Sequence, residues 1–381
     1  MTAEPRDLVA LAGLGSPKIE AIETAVVTRR FNPALVVRGA KTTHDVSTFL
    51  LVRIRASDGS EGYGEVSATR NWSGEDHVTA RHIIRDVIAP ALIGRRLAPI
   101  ATSTALMDRL IAGNPFTKAG VNMGLWDALG VSLGLPVTVL LGGQVRDEVP
   151  VKISLSGDGD ELRAGHAAAV AAGFSAFKVK VGRSLDRDIE RVALARELAG
   201  PDRLVGADAN GGWSVSEARR AIPQLVEQRA AFIEQPVAAR NLTGMQSLRA
   251  GSLPVVADES VYGADDLAQV IRADAADAVS IYIGKSGSLE RAVRMANTCA
   301  AFGLDVVIGS NAELGLGTAA QTHVACACER LGAIPSDIIG QHFYTEDVLS
   351  EPLLIDGSTA RLPDGPGLGV RLVGDLLGEF R

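Results

Sequence analysis

The chain has 381 residues, of which 46% are hydrophobic, and a formal net charge of −7. The length gives room for two domains or one large barrel with additions, and the apolar share suits a well-buried globular enzyme. The basic residues form no block, which argues against nucleic acid or an anionic membrane as partner, and no apolar run reaches membrane-spanning length.

The start, Met1-Thr2-Ala3-Glu4-Pro5, has no basic head followed by an apolar core, so a cytoplasmic enzyme without a secretory signal is expected. Residues 1–17 lack a clear period and read as a loose extension or short helix. Next come three β-rich runs, Ile19–Arg30, Ser47–Ala56 and Glu61–Ser67, with Asp58-Gly59-Ser60-Glu61-Gly62 as the turn before the third. They predict a three-stranded antiparallel sheet. Helical patterns follow over Glu75–Ile93, Ile100–Ile111 and Ala119–Gly134, with Ser73 a candidate cap for the first. Leu135-Pro136 and Leu141-Gly142-Gly143 then mark a boundary.

From Val149 the rhythm becomes strand, loop, helix. Strands are predicted at Val149–Leu155, Ala176–Val181, Leu204–Asp208, Ala231–Glu234, Val255–Asp258, Ala278–Ile283 and Leu304–Ile308, with a weak eighth near Ile334–Ile338. Helices between them are predicted at Glu161–Ala172, Leu185–Leu198, Val215–Gln228, Ala264–Ala273 and Leu289–Ala301. Such alternation reads as a parallel sheet with outer helices, and a closed barrel fits better than an open sheet because function-like residues sit at many strand ends. Cys326 and Cys328 fall in a helix read over Ala319–Arg330, where a two-residue offset points them to different faces. With Cys299 they read as buried small hydrophobes in a reducing compartment. Leu353–Arg381 is rich in Gly and Pro and is expected to return to the first domain.

Three carboxylates, Asp208, Glu234 and Asp258, each close a short apolar run, at roughly 25-residue intervals close to one strand-plus-helix unit. That places them at equivalent ends of successive parallel strands. A lone strand-end Asp more often caps the next helix. Three in register point instead to a hard divalent cation; oxygen-only donors suit magnesium or manganese, and no His or Cys accompanies them to suggest zinc. Lys178 and Lys180 are two residues apart on an earlier strand and so share a face. Inward lysines are costly unless paired or working. Mutual repulsion, with a metal nearby, is expected to lower the pKa of at least one towards the working pH, as a general base needs. Gly211-Gly212 matches no phosphate loop.

The ordered motifs Lys178-Val179-Lys180, Asp208-Ala209-Asn210, Glu234-Gln235-Pro236 and Ala257-Asp258-Glu259-Ser260 resemble the muconate lactonizing enzyme subgroup of the enolase superfamily, over nearly the whole chain. The resemblance implies an α/β fold, a modified (β/α)7β-like TIM barrel with an N-terminal α+β capping domain. The expected boundaries are 1–17 for the extension, 18–145 for the capping domain, 146–352 for the barrel and 353–381 for the returning segment. It implies that Asp208, Glu234 and Asp258 hold magnesium, that Lys180 is the acid/base, and that Lys178 tunes it and touches a substrate carboxylate. Asn210, Glu259 and Glu313 become candidates for substrate or supporting contacts. The loop Asn71–Glu75 and the stretch Asn32–His44 would cover the barrel mouth, where Arg38, Lys41 or Trp72 could grip a distal group. A small-molecule carboxylate substrate and a homo-oligomer are the partners implied.

One departure matters. The family's second catalytic lysine is expected at the end of the sixth strand, and aligning on Lys285-Ser286-Gly287 puts Tyr282 there. A Tyr with an ordinary pKa near 10 is a poor base but can donate a hydrogen bond or proton. This favours a one-base reaction, cycloisomerisation or elimination. Lys285 would turn to the other face if the strand continued; a bulge that brought it in would rescue racemisation or epimerisation of amino-acid derivatives. A metal-stabilised binding protein without turnover is the third reading. None of His44, His77, His82, His166, His323 and His342 sits at a late strand end with an Asp partner, which argues against the mandelate racemase branch.

Overall fold

The computed structural model describes residues 15–40, 43–249 and 253–381. Most of the expected N-terminal extension, and Lys41, lie outside the described residues.

β1 (Ile19–Arg30) is followed by a small hairpin, β2 (Val37–Arg38) and β3 (Thr43–His44), then by β4 (Val46–Ala56) and β5 (Glu61–Val66). β1, β4 and β5 form an antiparallel sheet in that order. The sheet is covered by helices: α1 (Arg70–Ser73), α2 (His77–Ile83), a π-helical turn over Ile84–Ile88, α3 (Ala89–Leu92), α4 (Ile100–Leu110), α5 (Pro115–Leu133) and α6 (Val137–Leu140). The single helix read over Glu75–Ile93 is thus α2 and α3 joined through the π turn. Its cap is Asp76, in a reciprocal capping box with Thr79. Ser73 instead ends α1 and donates to the Thr69 carbonyl at 3.0 Å. α5 is largely apolar all round and runs through the domain core. It packs on β5 by bare backbone: a Cβ on Gly64 would stand 1.9 Å from the Gly120 carbonyl oxygen.

The barrel begins with β6 (Glu148–Pro150) and β7 (Ile153–Leu155), so the first expected strand is two. Only β7 joins the parallel sheet. Then alternate α7 (Asp160–Ala171), β8 (Ala176–Lys180), α8 (Leu185–Ala199), β9 (Leu204–Asp208), α9 (Val215–Glu227), β10 (Ile233–Glu234), α10 (Leu242–Arg249), β11 (Val255–Ala257), α11 (Ala264–Arg272) and β12 (Ala278–Ile281). α12 (Ile283–Ser286), α13 (Leu289–Ala301), β13 (Asp305–Ile308) and α14 (Gly315–Ala327) complete the series. Seven strands, β7 to β13, lie in sequence order in one curled parallel sheet. This is the modified α/β barrel that the sequence pattern pointed to. The outward residues of these strands and the inner faces of the helices make one continuous core, and Phe232, Val256 and Ala278 form a small separate cluster.

No eighth strand forms between β13 and β7 among the described residues; Ser336 and Asp337 bridge the gap instead. Ser336 exchanges backbone hydrogen bonds with Pro150 (2.8 Å) and Lys152 (2.9 Å), and the Asp337 N–H donates to the Ile308 carbonyl at 2.8 Å. Three further differences have local causes. The strand read to Ile283 stops at Ile281 and turns into α12. α10 was not read from the sequence; it is a short helix of eight residues. The last barrel helix starts at Gly315, before the Ala319 expected, with Cys328 as its C-cap. All three cysteines are free and buried. After the barrel, β14 (Thr359–Arg361) pairs with β6, and the chain reaches the first domain, where Thr24 and Arg381 exchange backbone hydrogen bonds at 2.9 and 3.1 Å. Among the described residues no helix is long and apolar enough to cross a membrane.

Candidate active site

The register of β8, β9 and β10 sets the site. Lys180 lies opposite Asp208, and Asp208 opposite Glu234, so three strand ends are level. Asp258 follows the end of β11 directly, its N–H held by the Gln235 side-chain oxygen at 3.0 Å. The four side chains therefore converge at the C-terminal mouth of the barrel. A cavity there is lined from the barrel by Lys178, Lys180, Asn210 and Tyr282, and from the capping domain by Val37 and Trp72. Ser310, Asn311 and Ala312, in the loop after β13, form another wall.

The carboxylates hold the lysines. Lys180 Nζ donates to Asp208 Oδ2 at 2.6 Å and to Asn210 Oδ1 at 3.2 Å. Lys178 Nζ donates to both oxygens of Glu234, at 3.1 and 3.2 Å, and to Asp337 Oδ2 at 3.0 Å. Asp337 Oδ2 also accepts from Lys152 Nζ at 3.0 Å. Lys152 and Asp337 were missed in the sequence. Their signal was the one that revealed Lys178: a charge inside an apolar barrel segment, Val151-Lys152-Ile153 and Ser336-Asp337-Ile338.

Electrostatics follow from a surplus of acid in a dry place. Burial works against the Lys178 ammonium, but Asp337, Glu234, Asp208 and Asp258 outweigh it and hold its pKa well above the ordinary range. Lys180 is raised too, burial being outweighed by Asp208. The fall expected with a metal nearby does not hold for this arrangement: carboxylate oxygens lie 3.0–3.7 Å from the Lys178 amine and 2.6 Å from that of Lys180. Burial, with help from Asp208, Asp258 and Asp337, pushes Glu234 up to about 8 despite Lys178. Asp208 goes down, because Lys180 and Lys178 outweigh its burial. Lys152 is lowered, chiefly by burial.

At the end of β12 the chain turns through α12, and this decides the fate of two residues. Tyr282 faces the cavity, with its hydroxyl donating to Asp258 Oδ2 at 3.1 Å. Burial, then Asp258, drives its pKa well above 10, so it keeps its proton. Lys285 sits beneath. Its Nζ donates to Asp258 Oδ1 (2.6 Å), the Asp258 carbonyl (2.7 Å) and the Ser280 carbonyl (2.8 Å), and lies 4.2 Å from the centre of the Tyr282 ring. All three hydrogens are spent, and Lys285 is no part of the cavity wall.

The remaining candidates take supporting places. Glu259 accepts from Asn210 Nδ2 at 3.1 Å and from Trp72 Nε1 at 3.2 Å. Glu313 stands behind the wall loop, accepting from Ser310 Oγ, from Asn311 N at 3.1 Å and from Ser67 Oγ at 3.2 Å. Arg38 pairs with Glu161, at 3.6 Å. Trp72 does reach the mouth, stacked on Tyr282 with ring centres 5.3 Å apart.

Asp208, Glu234 and Asp258 offer oxygen donors only, on neighbouring strand ends, and in chemical kind they fit a hard divalent cation. As the side chains stand, their oxygens are turned to lysines, and among the described residues no three acidic, His or Cys side chains are grouped as a metal cage.

The comparisons agree with this architecture. Residues 19–142 match the mandelate racemase/muconate lactonizing enzyme N-terminal domain, and residues 161–376 match the enolase C-terminal domain-like family. The chain belongs to the mandelate racemase/muconate lactonizing enzyme family of the enolase superfamily, and is an enzyme. It is 31% identical to an N-succinyl-L-Arg/Lys racemase of Bacillus cereus, over 87% of this chain and 89% of that one. It is 32% identical to muconate cycloisomerase 1-2 of Acinetobacter lwoffii, over 96% and 95% of the two chains. A muconate lactonizing enzyme of Pseudomonas fluorescens, solved with muconolactone, superposes with a TM-score of 0.90 at 32% identity, covering 96% of this chain and all 100% of that one.

Proposed function

We propose that this chain is a one-base enzyme that moves a proton next to the carboxylate of a small molecule, in a cycloisomerisation or an elimination. One observation carries the reading. The mouth offers amines on the β8 side, Lys180 and Lys178, while the opposite side offers Tyr282, with the Lys285 amine consumed beneath it.

Asp208, Glu234 and Asp258 would hold magnesium, or manganese, and a bound cation would stabilise the negative charge that develops beside the substrate carboxylate. Lys180 Nζ carries the proton: as the ammonium held by Asp208 it can donate one, and it takes one only in its neutral form, which a cation on Asp208 would favour; its contacts to Asp208 and Asn210 aim it into the cavity. Lys178 Nζ meets the substrate carboxylate. Tyr282, held protonated, stands at the opposite face, and its one hydrogen, accepted here by Asp258 Oδ2, would turn to the substrate once a cation took up Asp258. Trp72 and Val37 keep water out. A homo-oligomer is the proposed assembly, as for most soluble enzymes.

Racemisation or epimerisation is the second reading, favoured by the racemase among the relatives. It requires an amine on the second face, and so requires Lys285 to leave all three of its acceptors.

The test is incubation of a pool of carboxylic acids with enzyme and magnesium in heavy water, followed by mass spectrometry. The pool holds muconates, hydroxy acids, N-acyl amino acids and dipeptides. Loss of water, or one deuteron gained with a changed skeleton, is the expected outcome, and it should vanish in Lys180→Ala. Deuterium gained with inversion and an intact skeleton would overturn the one-base reading.

A further inference from the structure

We propose that Trp72 of the capping domain positions Lys180, acting through Glu259 and Asn210, so that docking of the cap orients the base. The proposal rests on the reading of Lys180 as the proton carrier.

The chain of contacts has one consistent polarity. Trp72 Nε1 can only donate, and it donates to Glu259 Oε1 at 3.2 Å. The same oxygen accepts from Asn210 Nδ2 at 3.1 Å. Asn210 then presents its other end, Oδ1, to Lys180 Nζ at 3.2 Å. An amide has a donor end and an acceptor end, and only the second suits an ammonium group. Glu259, an acceptor, fixes which end Lys180 meets. Were the amide reversed, Lys180 would face two N–H groups and keep Asp208 alone as its acceptor.

Each link is held from outside the chain of contacts. The Asn210 backbone sits at φ +44°, in the left-handed region that Asn tolerates best among side chains other than Gly. Its own N–H donates to Asp208 Oδ1 at 2.9 Å. Asn210 and Glu259 are buried, 8% and 9% exposed, so water does not compete freely for their atoms. Trp72 is clamped by three rings: Tyr282, Tyr262 at 5.8 Å and Phe116 at 5.9 Å between centres. Phe116 and Trp72 itself come from the first domain, and the two tyrosines from the barrel. The indole thus reaches its hydrogen-bonding place only when the two domains are docked. The coupling is reciprocal: a change at Lys180 must be felt at the indole.

Tryptophan labelled with nitrogen-15 reads the chain without any substrate. The protein has three tryptophans, and in the structure their N–H groups donate to Glu259 (Trp72), Glu290 (Trp126) and Asp188 (Trp213). Trp72→Phe assigns the first signal. Lys180→Met is expected to shift the Trp72 signal and leave that of Trp126 in place; an unmoved Trp72 signal overturns the proposal. Kinetics supply the second arm. Glu259→Met should lower kcat about 10- to 100-fold, the cost of a misplaced reacting group, with KM changed less than about threefold. Glu259→Gln should stay within about threefold of the parent, because one carbonyl oxygen can accept both N–H groups. Equal losses in the two variants would mean that charge, not the hydrogen-bond polarity, matters, and would overturn the proposal. Full exchange in Glu259→Met with none in Lys180→Met overturns the coupling alone. Full exchange in Lys180→Met overturns the base assignment itself.

Discussion

Replacing Lys285 by Met separates the structural from the catalytic account of this residue. Lys285 is 2% exposed and Asp258 1% exposed, and their contact is 2.6 Å. Removing one partner of such a buried pair leaves an uncompensated charge, at a cost of about 3–5 kcal/mol. The carbonyls of Asp258 and Ser280 lose a donor as well, which places the loss towards the upper end of that range. The apolar part of the Met side chain replaces most of the packing, so the cavity contribution is small. At roughly 2–4 °C per kcal/mol for a large domain, the melting temperature should fall by about 10 °C or more. Differential scanning calorimetry measures this. Added magnesium should recover part of the loss in Lys285→Met, since a cation on Asp258 replaces the missing positive charge. Once folded with magnesium, the variant should still exchange the substrate proton within about tenfold of the parent. A variant of unchanged stability would refute the ion-pair reasoning, and a stable variant with no exchange would show that Lys285 is a base after all.

Asp208→Ala should abolish the stabilisation by magnesium, which for the parent protein reaches about 2.7 kcal/mol at a hundredfold excess over the dissociation constant; thermal shift against metal concentration checks it. Gly64→Ala should cost about 3 kcal/mol or prevent folding, because its Cβ would meet the Gly120 carbonyl at 1.9 Å and both partners are backbone; soluble yield and melting temperature report it. His323 gives a pH dependence of known sign. Burial lowers its pKa to about 4, below the unfolded value near 6.5, so below pH 6.5 the unfolded chain binds more protons there. Stability from this group is complete above about pH 6.5 and falls by about 3 kcal/mol towards pH 4. His323→Asn keeps an acceptor for the Thr138 N–H and should lose that slope; denaturant midpoints of parent and variant across this range isolate it.

The barrel and its metal-type acids were legible because one signal repeats: a charge closing an apolar run at intervals of one strand and helix. Parallel register then brings such charges together without further information, as it does for Lys180, Asp208 and Glu234. The place of Lys285 was left open in the sequence because alternation says nothing past the end of the strand. After Tyr282 the backbone makes one helical turn, in which residues three apart share a side, and the amine returns under the strand end. Lys152 lay in a run read as one strand that is two, so its inward direction was hidden. The pairing of Trp72 with Glu259 joins residues 187 positions apart on separate domains, and no local period records it.

Between β13 and β7 the barrel is joined to itself through the two-residue bridge of Ser336 and Asp337, with no strand there among the described residues. A hoop fastened by so short a clasp should breathe there first, and the amide hydrogens of Lys152, Ser336 and Asp337 should exchange with solvent before those of the central strands. Asp337 of the clasp also tethers Lys178. Opening of the hoop therefore takes one acceptor from Lys178 and leaves those of Lys180, Asp208 and Asn210, in place, so the slow motions of the scaffold reach the two lysines unequally.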